Sequence, residues 1–296
     1  DMELARSILE KYIKSPFIFI SPKLLSPTRY GSLVKDLFLS ALKDKDSEVR
    51  RRAAWALREL GRAEPEVIEG LLEALKDKNS EVRVRAALVL GELGRAEPEV
   101  IEVLLKALKD EDSEVSIGAA LALGELGRAE PEVIGGLLEA LKDEYSKVRE
   151  IAAWALGKLG RAELKVRERL LEALKDKDSR VRRGAALALG MLGRAEPEVI
   201  KGLLEALKDE DSGVRANAAW ALEELGRAEP KVIEGLLKAL KDEDSGVRRG
   251  AALALGELGR AEPEVIEVLL EALKDEDIGV LVRAAWVLGK LRRAEP

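Results

Sequence analysis

Residues 65–97 read PEVIEGLLEALKDKNSEVRVRAALVLGELGRAE, and this 33-residue pattern recurs eight times from residue 32 to residue 295 without insertion or deletion. A fixed period of this length is typical of solenoid proteins, in which one unit of secondary structure stacks on copies of itself. The sequence therefore predicts repeats at 32–64, 65–97, 98–130, 131–163, 164–196, 197–229, 230–262 and 263–295.

Each repeat carries the signals of two helices. Pro65 suits the first position of a helix, where its missing N–H costs nothing, and an apolar stripe at helical spacing follows it. Residues 77–80 interrupt this helix, and we expect Ser80 to cap a second helix that runs over residues 81–93 and ends at Gly94. The expected fold is all-α: an α-solenoid, or superhelix, of eight two-helix repeats.

The first 31 residues do not follow the repeat. Residues 2–14 have the apolar spacing of an amphipathic helix, and a proline at position 16 ends the pattern. We interpret residues 1–31 as an N-terminal helical cap on the first repeat, which solenoids need, or as the remnant of a preceding domain.

The composition narrows the class of function. The chain has no Cys and no His, which removes thiolate chemistry, the commonest metal ligand and the commonest general base. No nucleophile elbow, phosphate-binding loop or metal motif is present, so we predict no catalytic residue, no metal and no cofactor, and a protein that is not an enzyme. No apolar run approaches the ~18 residues that cross a bilayer, so no membrane association and a cytoplasmic location are expected.

Residues 46–57, DSEVRRRAAWAL, resemble the second helix of HEAT-like repeats of the phycobilin-lyase type. They are also similar to artificial alpha-helicoidal repeat proteins, and the resemblance extends over residues 32–295. It implies a ladder between repeats, formed by an Asp in the turn and an Arg six residues later. The matching pairs are Asp44/Arg50, Asp77/Arg83, Asp143/Arg149, Asp176/Arg182, Asp209/Arg215 and Asp242/Arg248. The pattern is interrupted at Ser116 and Leu281.

The same resemblance implies that the second helix of each repeat lines a concave face. One position on the solvent side of this helix holds all four tryptophans of the chain and leucine in the other repeats. A row of large apolar residues there favours partner binding. The predicted partner-binding residues are Arg51, Trp55, Val84, Leu88, Ile117, Leu121, Ile151, Trp154, Leu187, Met191, Trp220, Leu253 and Trp286. In the alternative interpretation, each indole seals a notch left by a glycine of a neighbouring repeat, at Gly118, Gly184 or Gly250.

These observations together predict a non-enzymatic protein-interaction or scaffold module with a protein or peptide partner. The net charge is −6, and the second helices carry both positive and negative side chains. Both facts argue against a nucleic-acid partner, because a phosphate backbone binds best to a continuous track of basic residues. Three alternatives stay open: a nucleic-acid-binding HEAT-like protein, a phycobilin-lyase-like chromophore-handling protein, and a designed or consensus scaffold without a native function. A monomer, or weak self-association, is expected.

Overall fold

The computed structural model describes Ser7, Lys11 and residues 31–61, 63–259 and 262–294. The predicted N-terminal cap, residues 1–31, therefore lies almost entirely outside the described residues. The chain divides into two compact units, Asp1–Ala140 and Leu141–Pro296. Each unit is a series of paired helices.

The first unit contains seven described helices, in which α2, α4 and α6 are the second helices of their repeats. Their bounds are α1 Gly31–Ala41, α2 Ser47–Leu60, α3 Pro65–Ala74, α4 Ser80–Leu93, α5 Pro98–Ala107, α6 Ser113–Leu126 and α7 Pro131–Ala140. The second unit contains nine, in which the even-numbered helices are the second helices. Their bounds are α8 Ser146–Leu159, α9 Leu164–Ala173, α10 Ser179–Leu192, α11 Pro197–Ala206, α12 Ser212–Leu225, α13 Pro230–Ala239, α14 Ser245–Glu257, α15 Pro263–Ala272 and α16 Ile278–Ala294. The described residues contain no strand, so the all-α prediction is confirmed.

The helix ends follow from local chemistry. Pro65 occupies the first turn of α3, as predicted, and Gly94 ends α4 in the left-handed conformation, with φ of 69°. The predicted N-cap is wrong by one residue. The side chain of Asn79, not that of Ser80, accepts a hydrogen bond from the N–H of Val82, because Ser80 already lies in the helix. Asp46 caps α2 in the same way through the N–H of Glu48.

Within each unit, successive second helices approach one another at backbone distance. A methyl group at Gly91 of α4 would lie 2.6 Å from Cα of Ala122 in α6, and one at Gly157 of α8 would lie 2.6 Å from Cα of Ala188 in α10. First helices meet through side chains instead: the same test at Gly70 of α3 finds Cδ2 of Leu39 at 2.9 Å. The second helices therefore form the more closely packed side of each stack.

A ladder of buried ion pairs joins successive repeats, as the resemblance implies. Arg50 donates Nε to Oδ2 of Asp77 at 2.5 Å and Nη2 to Oδ1 at 2.8 Å, and its Nη1 donates to the carbonyl of Asp44 at 2.8 Å. Burial alone would raise the pKa of the Asp77 carboxyl, but hydrogen bonds from Arg50 and from the N–H of Asn79 lower it below its usual value. The rungs are Arg50–Asp77 and Arg83–Asp110 in the first unit, and Arg149–Asp176, Arg182–Asp209, Arg215–Asp242 and Arg248–Asp275 in the second.

The two interruptions have different surroundings. Ser116 is buried, and its hydroxyl donates to the carbonyl of Asp110 at 3.4 Å, so it keeps the contact within its own repeat that the ladder arginines also make. Leu281 lies in α16, where Ile278, Val282 and Trp286 are all exposed. The last described repeat therefore presents an apolar surface.

Candidate protein-binding face

The position that holds the four tryptophans forms one row on the second helices of each unit, here named the tryptophan row. It consists of Trp55, Leu88 and Leu121 in the first unit, and of Trp154, Leu187, Trp220, Leu253 and Trp286 in the second. Trp55 and Trp286 are 38% and 46% exposed, and the other six side chains are half-buried. The neighbours Ala54 and Ala56 are 0% and 2% exposed, so the row marks the edge at which the core meets the surface.

The remaining residues of the predicted binding face differ in accessibility. Arg51, Val84, Ile151 and Met191 are half-buried and lie on the same second helices as the row. Ile117 of α6 is only 8% exposed, so it belongs to the packed interior more than to the surface.

Two guanidinium groups lie over the indole ring of Trp55. Cζ of Arg58, one turn later in α2, is 4.1 Å from the ring centroid, and Cζ of Arg85 in α4 is 4.4 Å from it. Both distances are within the range of a cation–π interaction. Arg58 is held by an ion pair with Glu92 of the next repeat. Two guanidinium groups therefore contact the Trp55 ring, one from its own helix and one from the next repeat.

A third arginine, Arg51, stands one turn before Trp55. It makes a bidentate pair with Glu48, with Nε–Oε2 at 2.8 Å and Nη2–Oε1 at 2.7 Å. Arg51, together with Arg52, holds the pKa of the Glu48 carboxyl at about 2, against the opposing effect of burial. The pKa of Arg85 is lowered as well, first by burial and then by the charges of Arg51 and Arg58, while Glu92 and Glu81 oppose the shift. Arginines contact the indole of Trp55, and carboxylates lie next to those arginines.

Single lysines lie over two of the tryptophans in the second unit. Nζ of Lys158 is 5.0 Å from the ring centroid of Trp154, and Nζ of Lys290 is 5.2 Å from that of Trp286. Lys290 also pairs with Glu257 at 2.7 Å. Each of these two rings has one lysine over it, whereas the ring of Trp55 has two arginines.

Trp220 lies against a glycine and beside carboxylates. A methyl group at Gly190 of α10 would lie 2.8 Å from Cζ3 of Trp220, so this indole packs over the preceding second helix. The alternative interpretation names Gly118, Gly184 and Gly250 as the glycines that leave a notch. The atoms nearest an added methyl group belong to Ala87 and Val84 for Gly118, to Glu150 for Gly184, and to Ala219 and Ala216 for Gly250. The glycine that meets Trp220 lies in the last turn of α10, which within-helix spacing did not indicate.

Glu223, one turn after Trp220, is the feature that sequence reasoning missed. Its Oε2 is buried and accepts no hydrogen bond from the described residues. Burial raises the pKa of Glu223, the charges of Glu224 and Glu257 raise it further, and Arg283 and Lys290 oppose them. Nothing in the repeat pattern signals this except that Glu223 replaces the glycine found at the equivalent position of most repeats.

The described residues contain no group of three or more Asp or Glu side chains arranged to hold a metal ion. None of the helices in this part of the chain is long and apolar enough to cross a lipid bilayer.

Comparison with known families agrees with the repeat geometry. The family described as HEAT repeats matches residues 29–83, 68–156, 134–223 and 200–289. The chain belongs to the HEAT-repeat family. A comparison with curated proteins gives no match.

Solved structures show the same fold in other HEAT-type solenoids. The chain is 25% identical to an engineered protein, with a TM-score of 0.53, over 98% of this chain and 84% of that one. YibA from Escherichia coli is 23% identical, with a TM-score of 0.65, over 95% of this chain and 100% of that one. Kap95p, whose binding induces the switch loops of RanGDP to adopt the GTP-bound conformation, is 15% identical, with a TM-score of 0.62, over 91% of this chain and 42% of that one. The last two likenesses concern the fold alone.

Proposed function

We propose that this HEAT-repeat chain is a non-enzymatic interaction or scaffold module that binds a protein or peptide through its tryptophan row. The observation that carries the proposal is the partial exposure of the indoles, with Trp55 at 38% and Trp286 at 46%, while Ala54 and Ala56 on either side of Trp55 are buried. Large apolar side chains repeated along one surface are typical of interaction sites, and Trp is enriched among residues that dominate binding energy.

The packing supports the choice of face. Second helices that touch at Gly91 and Gly157 are closer together than first helices separated by leucine side chains. The closely packed side of a helical stack is the inner side of any curvature, where solenoids usually receive partners. Kap95p, which shares the fold, binds the protein RanGDP, and this supports a protein partner by analogy only.

The charges along the row favour a protein over a nucleic acid. Two arginines lie over Trp55, whereas Glu223 follows Trp220 by one turn and is influenced by the charges of Glu224 and Glu257. A phosphate backbone prefers a continuous basic track, and this row changes sign along the second helices. The cytoplasmic location and the monomeric or weakly associating state stay predictions of the same proposal.

The test compares partners recovered by the intact chain and by a Trp154→Ala/Trp220→Ala variant, identified by quantitative mass spectrometry from the source cells. A matched control is Leu164→Ala/Leu270→Ala, which removes two apolar side chains, 63% and 51% exposed, from first helices. We expect the tryptophan variant alone to lose specific partners. Helical content by circular dichroism confirms that both variants fold.

Equal recovery by the tryptophan variant and the intact chain would contradict the proposal. If that variant instead lost stability while keeping its partners, the indoles would be structural seals, as the contact between Trp220 and Gly190 allows. A co-purifying chromophore seen by absorbance, or binding to oligonucleotides that falls steeply with salt, would favour the other two functions.

A further inference from the structure

Arg85 differs from the other arginines that are withdrawn from solvent. Every other buried or half-buried arginine whose side chain the structure describes pairs with a carboxylate within 4.0 Å. Arg85 is half-buried and contacts the Trp55 ring, but no carboxylate of the described residues lies within that distance of it. Arg85 is thus a partly desolvated guanidinium whose N–H donors have no carboxylate acceptor among the described residues.

The neighbours hold Arg85 in place without neutralising it. Arg58 also lies over the Trp55 ring and forms an ion pair with Glu92, and Arg51 forms an ion pair with Glu48. Both arginines lower the pKa of Arg85, as burial does, so the site favours an added negative charge. The result is a fork of free N–H groups beside an indole that is 38% exposed.

The surrounding carboxylates limit the kind of anion that fits. Glu48, Glu81 and Glu92 all lie among these arginines, and they would repel the closely spaced charges of a nucleic acid or polyphosphate. One carboxylate suits the planar guanidinium, which binds it through two parallel hydrogen bonds. An apolar side chain next to that carboxylate can cover the indole.

We propose that Trp55 and Arg85 form a subsite for an Asp or Glu side chain of the partner, with an adjacent apolar residue packed on the indole. The carboxylate receives hydrogen bonds from the guanidinium of Arg85, whose charge no carboxylate of the described residues pairs with. This inference rests on the proposed function, since it names the chemistry of a partner on the tryptophan row.

The experiment uses the full chain labelled with ¹⁵N, in which four tryptophans give four indole N–H resonances. Trp55→Phe assigns the resonance of interest. The probes are the blocked tripeptide acetyl-Leu-Glu-Leu-amide and its Gln analogue. We expect the Glu peptide to shift the Trp55 resonance in a saturable way, and the Gln peptide to leave it in place. Arg85→Gln should weaken the response about tenfold, the effect of losing one charge-assisted hydrogen bond, and Arg85→Lys should restore part of it.

Arg249→Gln is the matched control, because it removes the same charge from an exposed arginine of α14 in the second unit. The inference is overturned if Trp55 does not respond, if both peptides act equally, or if Arg85→Gln has no more effect than Arg249→Gln. A larger Trp55 shift with inorganic phosphate or with an oligo(dT) octamer would replace the carboxylate by phosphate or nucleic acid as the ligand. Failure here leaves the partner test on Trp154 and Trp220 unaffected, so the two proposals fail separately.

Discussion

Trp55 and Trp220 occupy the same position of their repeats, yet the groups next to the two rings differ. Arg58 and Arg85 both lie over the ring of Trp55. Trp220 instead packs over Gly190 and has Glu223 one turn away. The same position of the repeat therefore has arginines over its indole in the first compact unit. In the second compact unit it has a glycine against its indole and a glutamate one turn away.

The difference depends on one position, three residues after each tryptophan. Six of the eight repeats hold glycine there, where second helices approach closely, and the exceptions are Arg58 and Glu223. Both carry a long charged side chain to the edge of the row. The comparison teaches that the chemistry of the surface beside the row can change while the ladder between repeats stays the same.

The ladder provides the largest test of that independence. Arg50 is 7% exposed and Arg215 9%, and each makes the same bidentate pair, with Asp77 and Asp242 respectively. Arg50→Gln and Arg215→Gln each leave a buried carboxylate without its partner, so we expect each to cost about 3 kcal/mol of local stability. Urea unfolding followed by hydrogen exchange of each repeat measures both losses.

Lys76→Gln is the control, because Lys76 forms an exposed ion pair with Glu73 at the C-terminal end of α3. That substitution should leave the unfolding curve unchanged. Clearly unequal stability losses for Arg50→Gln and Arg215→Gln would mean that the charges near Trp55 and Trp220 affect the ladder. The ladder would then not be independent of the surface chemistry.

The contact beneath Trp220 gives the second test. A methyl group at Gly190 would lie 2.8 Å from Cζ3 of Trp220 and 2.9 Å from Cα of Ala221. Gly190→Ala should therefore destabilise the second unit by about 1–3 kcal/mol through overpacking, despite the better helix propensity of alanine. Urea unfolding and an increase in Trp220 exposure to acrylamide quenching measure the effect.

Gly135 provides a matched control in the first unit. It lies within α7, and nothing comes within 4 Å of an added methyl group. Gly135→Ala should stabilise that helix by about 0.5–1 kcal/mol, the propensity difference without a clash. If Gly190→Ala also stabilised the protein, the indole would move aside freely and the contact with Gly190 would not define the site.

The sequence was sufficient for the fold because its signals are local and recur. Pro65 and Gly94 mark helix ends by their own backbone chemistry, and the ladder follows from residue identity at fixed spacing. The cap at Asn79 was placed one residue late, since Asn and Ser are both good N-caps and only the hydrogen bond distinguishes them.

The site was less predictable because it depends on contacts between repeats. Spacing within a helix could not show that Trp220 meets Gly190, since lateral register is set by packing. Nor could it show that Arg85, one of several arginines on the second helices, has no carboxylate partner in the described residues. Both facts require the positions of side chains on neighbouring helices.

A smaller effect is expected at Glu48, the carboxylate that pairs with Arg51 and Arg52 near Trp55. Arg51 and Arg52 lower the pKa of Glu48 to about 2, so ionised Glu48 stabilises the folded state above its unfolded pKa of about 4.3. Its side chain is 41% exposed, and we expect Glu48→Gln to cost about 0.5 kcal/mol at pH 7. The cost should disappear as the pH falls from 4 towards 2, measured by urea midpoints of both proteins. A cost independent of pH would show a packing effect instead.

The smallest effect is expected at Glu223, one turn after Trp220. Its replacement by glutamine should change the stability in the opposite direction to Glu48→Gln. Burial and the charges of Glu224 and Glu257 raise the pKa of Glu223, so folding favours its protonated form. Its favourable contribution is therefore present below the unfolded pKa and is lost as the pH rises through the folded pKa. Glu223→Gln should match the wild type near pH 4 and exceed its stability by a few tenths of a kcal/mol at pH 7, because solvent screens a half-buried charge. A variant less stable than the wild type at pH 7 would mean that Arg283 and Lys290 outweigh the two carboxylates. The charge of Glu223 near Trp220 would then be neutralised in the folded protein. The difference between the two sites would rest only on the two arginines over Trp55.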